Sequence, residues 1–251
     1  MPLTVATWNV NGIRAREEQF LAWLARDLPD VVCLQEIKAP PEKLSERLCE
    51  LAGYRCYWHG AGGYSGVGLH VRSELAAAGA AYDHPGFDHE TRIVTADLGR
   101  LLVASVYVPN GGKDFQAKLD FLTALGDWAG SQRRAGRELV ICGDLNVART
   151  ERDVHPKERK PNQIGTRPEE RALLEGLLAH GLVDVGRALD PDNDELFTWW
   201  APWRNLRQRN IGWRIDYLLA SEELAKTATD SRVLADVGTS DHAPVVARFD
   251  V

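Results

Sequence analysis

Ile93-Val94-Thr95-Ala96-Asp97-Leu98-Gly99-Arg100-Leu101-Leu102-Val103-Ala104-Ser105-Val106-Tyr107-Val108 is the stretch whose reading decides the fold. Two apolar runs, Ile93–Leu98 and Leu101–Val108, are separated only by Gly99-Arg100, which is a hairpin signal. A hairpin excludes a purely parallel sheet. Outward from it, strand and helix patterns alternate. Further strands are expected at Leu3–Val10, Val31–Gln35, Gly66–Val71, Leu139–Cys142, Asp216–Ala220 and Ala243–Phe249. Helices are expected at Arg14–Leu28, where Phe20, Leu21, Leu24 and Leu28 recur at helical spacing, and at Phe115–Ala129. Pro41–Ala52 has proline at its start and Gly53 at its end, and Pro168–His180 is closed by Gly181. Residues 150–168 are polar and proline-rich and read as a long surface loop. Alternation implies crossovers and the hairpin implies antiparallel pairing. The expected fold is therefore α/β, with two mixed sheets packed face to face and helices outside.

The chain has 251 residues, which suits one domain over 1–251. At 44% hydrophobic and 26% charged it has the composition of a soluble globular protein. No apolar run approaches the roughly 20 residues of a membrane span, so no membrane partner is expected. Met1-Pro2-Leu3-Thr4 leads straight into a strand, which argues against a signal peptide. The four cysteines show no zinc or disulfide spacing, so the expected compartment is reducing and cytoplasmic. The net charge of -6 excludes a protein that coats nucleic acid non-specifically. The charge is uneven, however. Leu196–Ile215 has no acid, yet it holds Arg204, Arg207, Arg209, Arg214, Trp199, Trp200, Trp203 and Trp213. Such a basic and aromatic face can meet a phosphodiester backbone on an acidic protein.

Polar residues cluster where strands end. Asn9 and Asn11 close the first apolar run, Glu36 the second, and Gly143-Asp144-Leu145-Asn146 follows Leu139–Cys142. Ser240-Asp241-His242 precedes the last strand. Strand ends on one sheet edge bring distant residues together. Asp, Glu, Asn and one His, without a cysteine pair or a nucleophilic serine elbow, suit a hard metal ion and an activated water. Each residue also has a plainer reading. A lone Glu at a strand end is usually solvated, Asp and Asn form turns, and Tyr107 fits a strand. Tryptophans usually build cores. If the strand continued past Asp144, alternation would point Asp144 and Asn146 the same way.

Seven motifs taken together resemble the exonuclease III and apurinic/apyrimidinic endonuclease family, within the endonuclease/exonuclease/phosphatase superfamily. They are Thr7-Trp8-Asn9-Val10-Asn11-Gly12-Ile13-Arg14, Leu34-Gln35-Glu36, Tyr64-Ser65-Gly66-Val67-Gly68, Tyr107-Val108-Pro109-Asn110, Gly143-Asp144-Leu145-Asn146-Val147, Gly212-Trp213-Arg214-Ile215-Asp216-Tyr217 and Ser240-Asp241-His242-Ala243-Pro244. Each is weak alone; their shared order along nearly the whole chain is specific. The resemblance implies a four-layered α/β sandwich and a Mg²⁺-dependent DNA repair nuclease, with Mn²⁺ as a substitute ion. Its expected substrate is double-stranded DNA with abasic sites or 3′ ends, cut 5′ to the abasic site to leave a 3′-hydroxyl. Removal of 3′-blocking groups and 3′–5′ exonuclease activity are implied too, by a monomer in the cytoplasm, at the nucleoid in a bacterium.

The resemblance also implies roles for residues. Asp144 would position or deprotonate the attacking water, with Asn146 and Asn9 as hydrogen-bonding partners. His242, paired with Asp216, would neutralise phosphate, and Tyr107 would reach it. Glu36 would hold the metal, with Asp241 and Asn11 beside it, although many relatives carry Asp at the Asn11 position. Trp199, Trp213 and Ile215 would wall a pocket for a baseless sugar, with Asn110, Arg14 and Arg207 on the DNA. Trp203 is bulkier than expected for its loop, and the loop at Lys113 is shorter than in some relatives. Two rivals differ in class. One is a superfamily phosphatase or sphingomyelinase, against which the Trp/Arg segment argues. The other is a non-catalytic regulator, which would be expected to lose the carboxylates retained here.

Overall fold

The computed structural model describes residues 2–77 and 79–251. In chain order the strands are β1 (Pro2–Asn9), β2 (Val31–Gln35), β3 (Tyr54–His59), β4 (Val67–Arg72), β5 (Ala81–Asp83), β6 (Ile93–Leu98), β7 (Leu101–Tyr107), β8 (Glu138–Asp144), β9 (Leu182–Asp184), β10 (Asp216–Ser221), β11 (Ala228–Val233) and β12 (Val245–Asp250). They form two six-stranded sheets, ordered β11-β12-β1-β2-β4-β3 and β5-β6-β7-β8-β10-β9. Each sheet has a central parallel pair, β1 with β2 and β7 with β8, in otherwise antiparallel surroundings.

Helices make those parallel pairs possible, because a parallel connection needs a crossover. Helix Ile13–Asp27 joins β1 to β2 and buries Ile13, Phe20, Trp23 and Leu24 against one outer face. Helix Phe115–Arg134 joins β7 to β8 and, with helix Pro168–Leu178, covers the other. Between the sheets, Val5, Val31, Cys33 and Leu69 pack with Val103, Val140, Cys142 and Leu218. Burying each such aliphatic chain contributes about 1.5–3 kcal/mol. The layers run helix, sheet, sheet, helix, as the resemblance implied.

The eight strands expected from the sequence are the eight interior strands. The four unexpected ones, β3, β5, β9 and β11, are the four sheet edges. The expected helix Pro41–Ala52 is instead two short pieces, a 3₁₀ turn Pro41–Lys43 and a helical turn Glu46–Cys49. Leu44 and Ser45 between them are extended, and the Ser45 hydroxyl caps the second piece by accepting from Leu48 N at 3.3 Å. Helix Phe115–Arg134 outruns its expected end at Ala129, whereas Pro168–Leu178 stops short of His180. The last strand starts at Val245 rather than Ala243. All four cysteines are free thiols.

Candidate active site

Parallel strands end on the same edge, so β1, β2, β7 and β8 deliver Asn9, Glu36, Tyr107 and Asp144 to one place. Register fixes the rest: Asp144 sits opposite Tyr107 on β7 and opposite Asp216 on β10. The chain does not continue as a strand past Asp144. Asn146 is left-handed (φ 53°), so it meets Asp144 through a turn rather than by alternation. Asn11 (φ 46°) and Glu36 (φ 52°) share that uncommon conformation. Gly143 (φ 147°) is required sterically, because a Cβ there would lie 1.9 Å from the Val106 carbonyl oxygen.

One amide joins the two principal carboxylates. Asn9 Nδ2 donates to Glu36 Oε1 at 3.0 Å and to Asp144 Oδ2 at 2.9 Å. Asn146 donates to Asp144 from its backbone N at 2.9 Å and from Nδ2 at 3.2 Å. The Tyr107 hydroxyl donates to Glu36 Oε1 at 2.9 Å, and Lys38 pairs with Glu36 Oε2 at 2.7 Å. His242 Nδ1 contacts Asp216 Oδ2 at 2.9 Å, while Nε2 faces Asp144 Oδ2 at 3.9 Å. Thr198 Oγ1 donates to Asp216 at 2.6 Å and so anchors the orienting carboxylate.

Burial and charge tune these groups. Burial alone would depress the His242 imidazole, but the charge and hydrogen bond of Asp216, with Asp144 and Asp241 nearby, raise it to about 10. Burial pushes Asp144 up to about 7 against the pull of the His242 charge, assisted by Asp216 and Glu36. Burial also raises the Tyr107 phenol, reinforced by Glu36 and Asp144, so it remains a hydrogen-bond donor. At Asp241, burial is outweighed by the His242 charge and by hydrogen bonds from Asn11 and Trp199, and the carboxyl is lowered.

Glu36, Asp144 and His242 offer atoms within 4.8 Å of one another, the spacing of a metal-binding cluster. Glu36 and Asp144 are the anionic members of this cluster, the type of donor that suits a hard cation. A buried Asp144 raised by desolvation is the kind of group a hard divalent cation would keep ionised. Asn11 and Asp241 sit beside this cluster, and Asp241 lines the same cavity as Glu36 and Asp144. Asn11 accepts from Lys38 at 2.6 Å and donates to Asp241 Oδ1 at 2.7 Å, while Asp241 Oδ2 accepts from Trp199 Nε1 at 3.0 Å. Both side chains are occupied by these neighbours.

Over the cluster opens a cavity of about 330 Å³, walled by Trp199, Trp213 and Ile215 opposite Asn110 and Asn146. Trp199 and Trp213 meet edge to face at 6.1 Å. Gly165 lies against the Trp213 ring, where a Cβ would approach to 3.0 Å. Its loop is held by Glu170, which accepts from Gly165 N at 2.8 and 2.9 Å and pairs with buried Lys118. Lys118 Nζ also donates to the Asn146 carbonyl at 2.7 Å and the Asn110 carbonyl at 3.3 Å, tying three loops together.

The family model for the endonuclease/exonuclease/phosphatase family matches residues 6–242. The chain belongs to this family. An exodeoxyribonuclease of Bacillus subtilis is 32% identical over 97% of this chain and 98% of its own length. Recombination repair protein 1 of Drosophila melanogaster is 32% identical over 99% of this chain, which spans only 37% of that longer protein. The solved AP endonuclease of Archaeoglobus fulgidus superposes with a TM-score of 0.87 at 30% identity, over 99% of this chain and 100% of that one.

Two residues expected on the DNA, Arg14 and Arg207, do not line this cavity. Arg14 is exposed on the first turn of helix Ile13–Asp27. Arg207 is a brace: its guanidinium donates to the carbonyls of Ala235 at 2.9 Å, Val237 at 2.9 Å and Ser240, and stacks 5.1 Å over Trp200. It fixes the segment carrying Asp241 and His242. Trp203, 59% exposed, lies in a neighbouring cleft rather than the cavity. Lys38, Lys118, Gln163–Gly165, Glu170 and Thr198 were missed. Thr198, beside Trp199, and Lys38, two residues after Glu36, carried a local signal; the others meet the site through tertiary packing.

Proposed function

We propose that this DNA repair nuclease incises duplex DNA 5′ to abasic sites with Mg²⁺, Mn²⁺ substituting, and also processes 3′ ends. The observation that carries the reading is the aromatic cavity opening directly onto Asp144 and the His242–Asp216 pair. A sugar without a base enters such a cavity, whereas an attached base would meet Trp199 and Trp213; selection is by shape. Asp144 accepts the proton of the attacking water, and Asn9 and Asn146 hold that carboxylate in place. Water attacks phosphorus, the P–O3′ bond breaks, and the leaving oxygen takes up a proton as a 3′-hydroxyl. The His242 imidazolium, oriented by Asp216, offsets charge on a non-bridging oxygen, and the Tyr107 phenol donates nearby. Glu36 would hold the cation, with Asp241 and Asn11 beside it, and the cation would supply Lewis-acid stabilisation of the phosphate.

We read the working protein as a monomer acting on DNA in the cytoplasm. Two duplexes test the activity, one with a central abasic analogue and one undamaged with a recessed 3′ end, each with Mg²⁺ and with chelator. Mg²⁺-dependent cleavage 5′ to the analogue supports the reading. Cleavage of neither duplex, or cleavage indifferent to chelator, overturns it.

A further inference from the structure

A second cluster of metal-ligating side chains lies at the seam between the edge strands of the two sheets. His59 closes β3, His84 follows β5, and Asp88 ends the turn after His84. These three residues also offer ligand atoms within 4.8 Å of one another. We infer that His59, His84 and Asp88 form a zinc-class metal site that clips β3 to β5. The inference is independent of the nuclease reading.

The donor set differs from that of the catalytic edge. Two imidazoles and one carboxylate suit a borderline ion such as Zn²⁺, or Co²⁺ in its place, rather than Mg²⁺. The site is also built. Asp88 Oδ1 is fixed by the backbone N–H groups of Arg92 at 2.8 Å and Ile93 at 3.1 Å, which leaves Oδ2 turned to His59 Nε2 at 2.6 Å. His84 Nε2 lies 2.9 Å from the Tyr57 hydroxyl. The two imidazoles stack at 3.7 Å, which keeps both rings at the one place, and a neutral imidazole is the ligating form. A divalent ion entering the cluster would take the place of the His59–Asp88 hydrogen bond, bound by the same Nε2 and Oδ2 atoms with any Nε2 proton released to solvent, while His84 turns from Tyr57 to complete the set. The position has a mechanical consequence. β3 and β5 belong to different sheets and touch here through the stacked Tyr57 and Tyr82 rings, 4.9 Å apart. The clipped loop carries Arg92, which lies 4.8 Å over the Tyr107 ring, and Glu90, whose carbonyl accepts from Ser65.

The test titrates Zn²⁺ into chelator-treated protein by calorimetry, with Co²⁺ absorption as a second readout and excess Mg²⁺ present. The parent is Glu36→Gln, which removes a carboxylate from the other cluster. One zinc equivalent should remain in this parent and raise its melting temperature. His84→Ala should weaken that equivalent by at least about tenfold. Asp88→Asn, which keeps the side-chain shape, should do the same and serves where His84→Ala lowers the metal-free melting temperature. Equal zinc affinity in the parent and in both variants, or a parent that binds no zinc, overturns the site.

Discussion

The two sheets are built on one plan and finish it differently. Each has a central parallel pair joined by an outer helix, and each delivers a carboxylate to the shared edge. On the first sheet, Glu36 sits at the rim, paired with Lys38 at side-chain exposures of 16% and 32%. On the second, Asp144 and Asp216 are 1% and 2% exposed, and the supporting Lys118–Glu170 pair has no exposure at all. The same frame therefore yields a wet acid and a dry one. The wet side is suited to exchanging an ion. The dry side handles protons, because burial moves Asp144 to about 7 and Asp216 holds His242 near 10.

The strongest way to break this contrast is Asp144→Asn. Turnover should fall by at least the ~10²–10⁴-fold of a lost general base, with DNA binding by anisotropy nearly unchanged. Steady-state activity close to wild type would remove Asp144 from proton transfer. The two Lys–Glu pairs sharpen the contrast. Lys118→Met strands a buried Glu170 and should cost about 3–5 kcal/mol in urea unfolding. Lys38→Met at the rim should cost no more than about 1 kcal/mol; equal losses would mean that burial does not separate the two sides. Glu36→Gln should raise the Mg²⁺ concentration for half-maximal activity while leaving the melting temperature near wild type. An unchanged Mg²⁺ curve would remove Glu36 from the ion.

The smallest effect is in stability against pH, measured by urea midpoints in chelator. His242 is raised in the folded state above its ordinary 6.5, so its contribution is full below that value and fades as pH climbs towards about 10. Asp144, also raised, loses stability in the same direction but lower, from 3.8 through about 7. The midpoint should therefore fall between pH 6.5 and 10, and Asp216→Asn should flatten that fall. An equally steep fall in the variant would show that Asp216 does not hold the imidazolium.

What was legible in the sequence follows burial. Interior strands such as Val31–Gln35, buried throughout, announce themselves as apolar runs. Edge strand β11, Ala-Thr-Asp-Ser-Arg-Val, is polar and half-exposed and is held by its backbone ladder to β12, so it carries no hydrophobic signal. The site divides similarly. Asn9, Glu36, Tyr107, Asp144, Asp216 and His242 end or adjoin interior strands, and motif order found them. Lys118 lies inside a helix pattern and Gln163–Gly165 in a polar loop, and both reach the cavity only through tertiary contacts. Four arginines in a sequence do not reveal that Arg207 is the one whose guanidinium meets backbone carbonyls.

The left-handed backbone at Asn11, Glu36 and Asn146 sets this edge against the rest of the fold. Such a conformation disfavours a residue with a Cβ by roughly 1–2 kcal/mol, less for Asn, and glycine relieves it. Glu36→Gly should therefore give a chain that is firmer and idle at once. Selection for thermal tolerance alone would drift toward that substitution, and only a screen that also scores DNA cleavage would hold the glutamate in place.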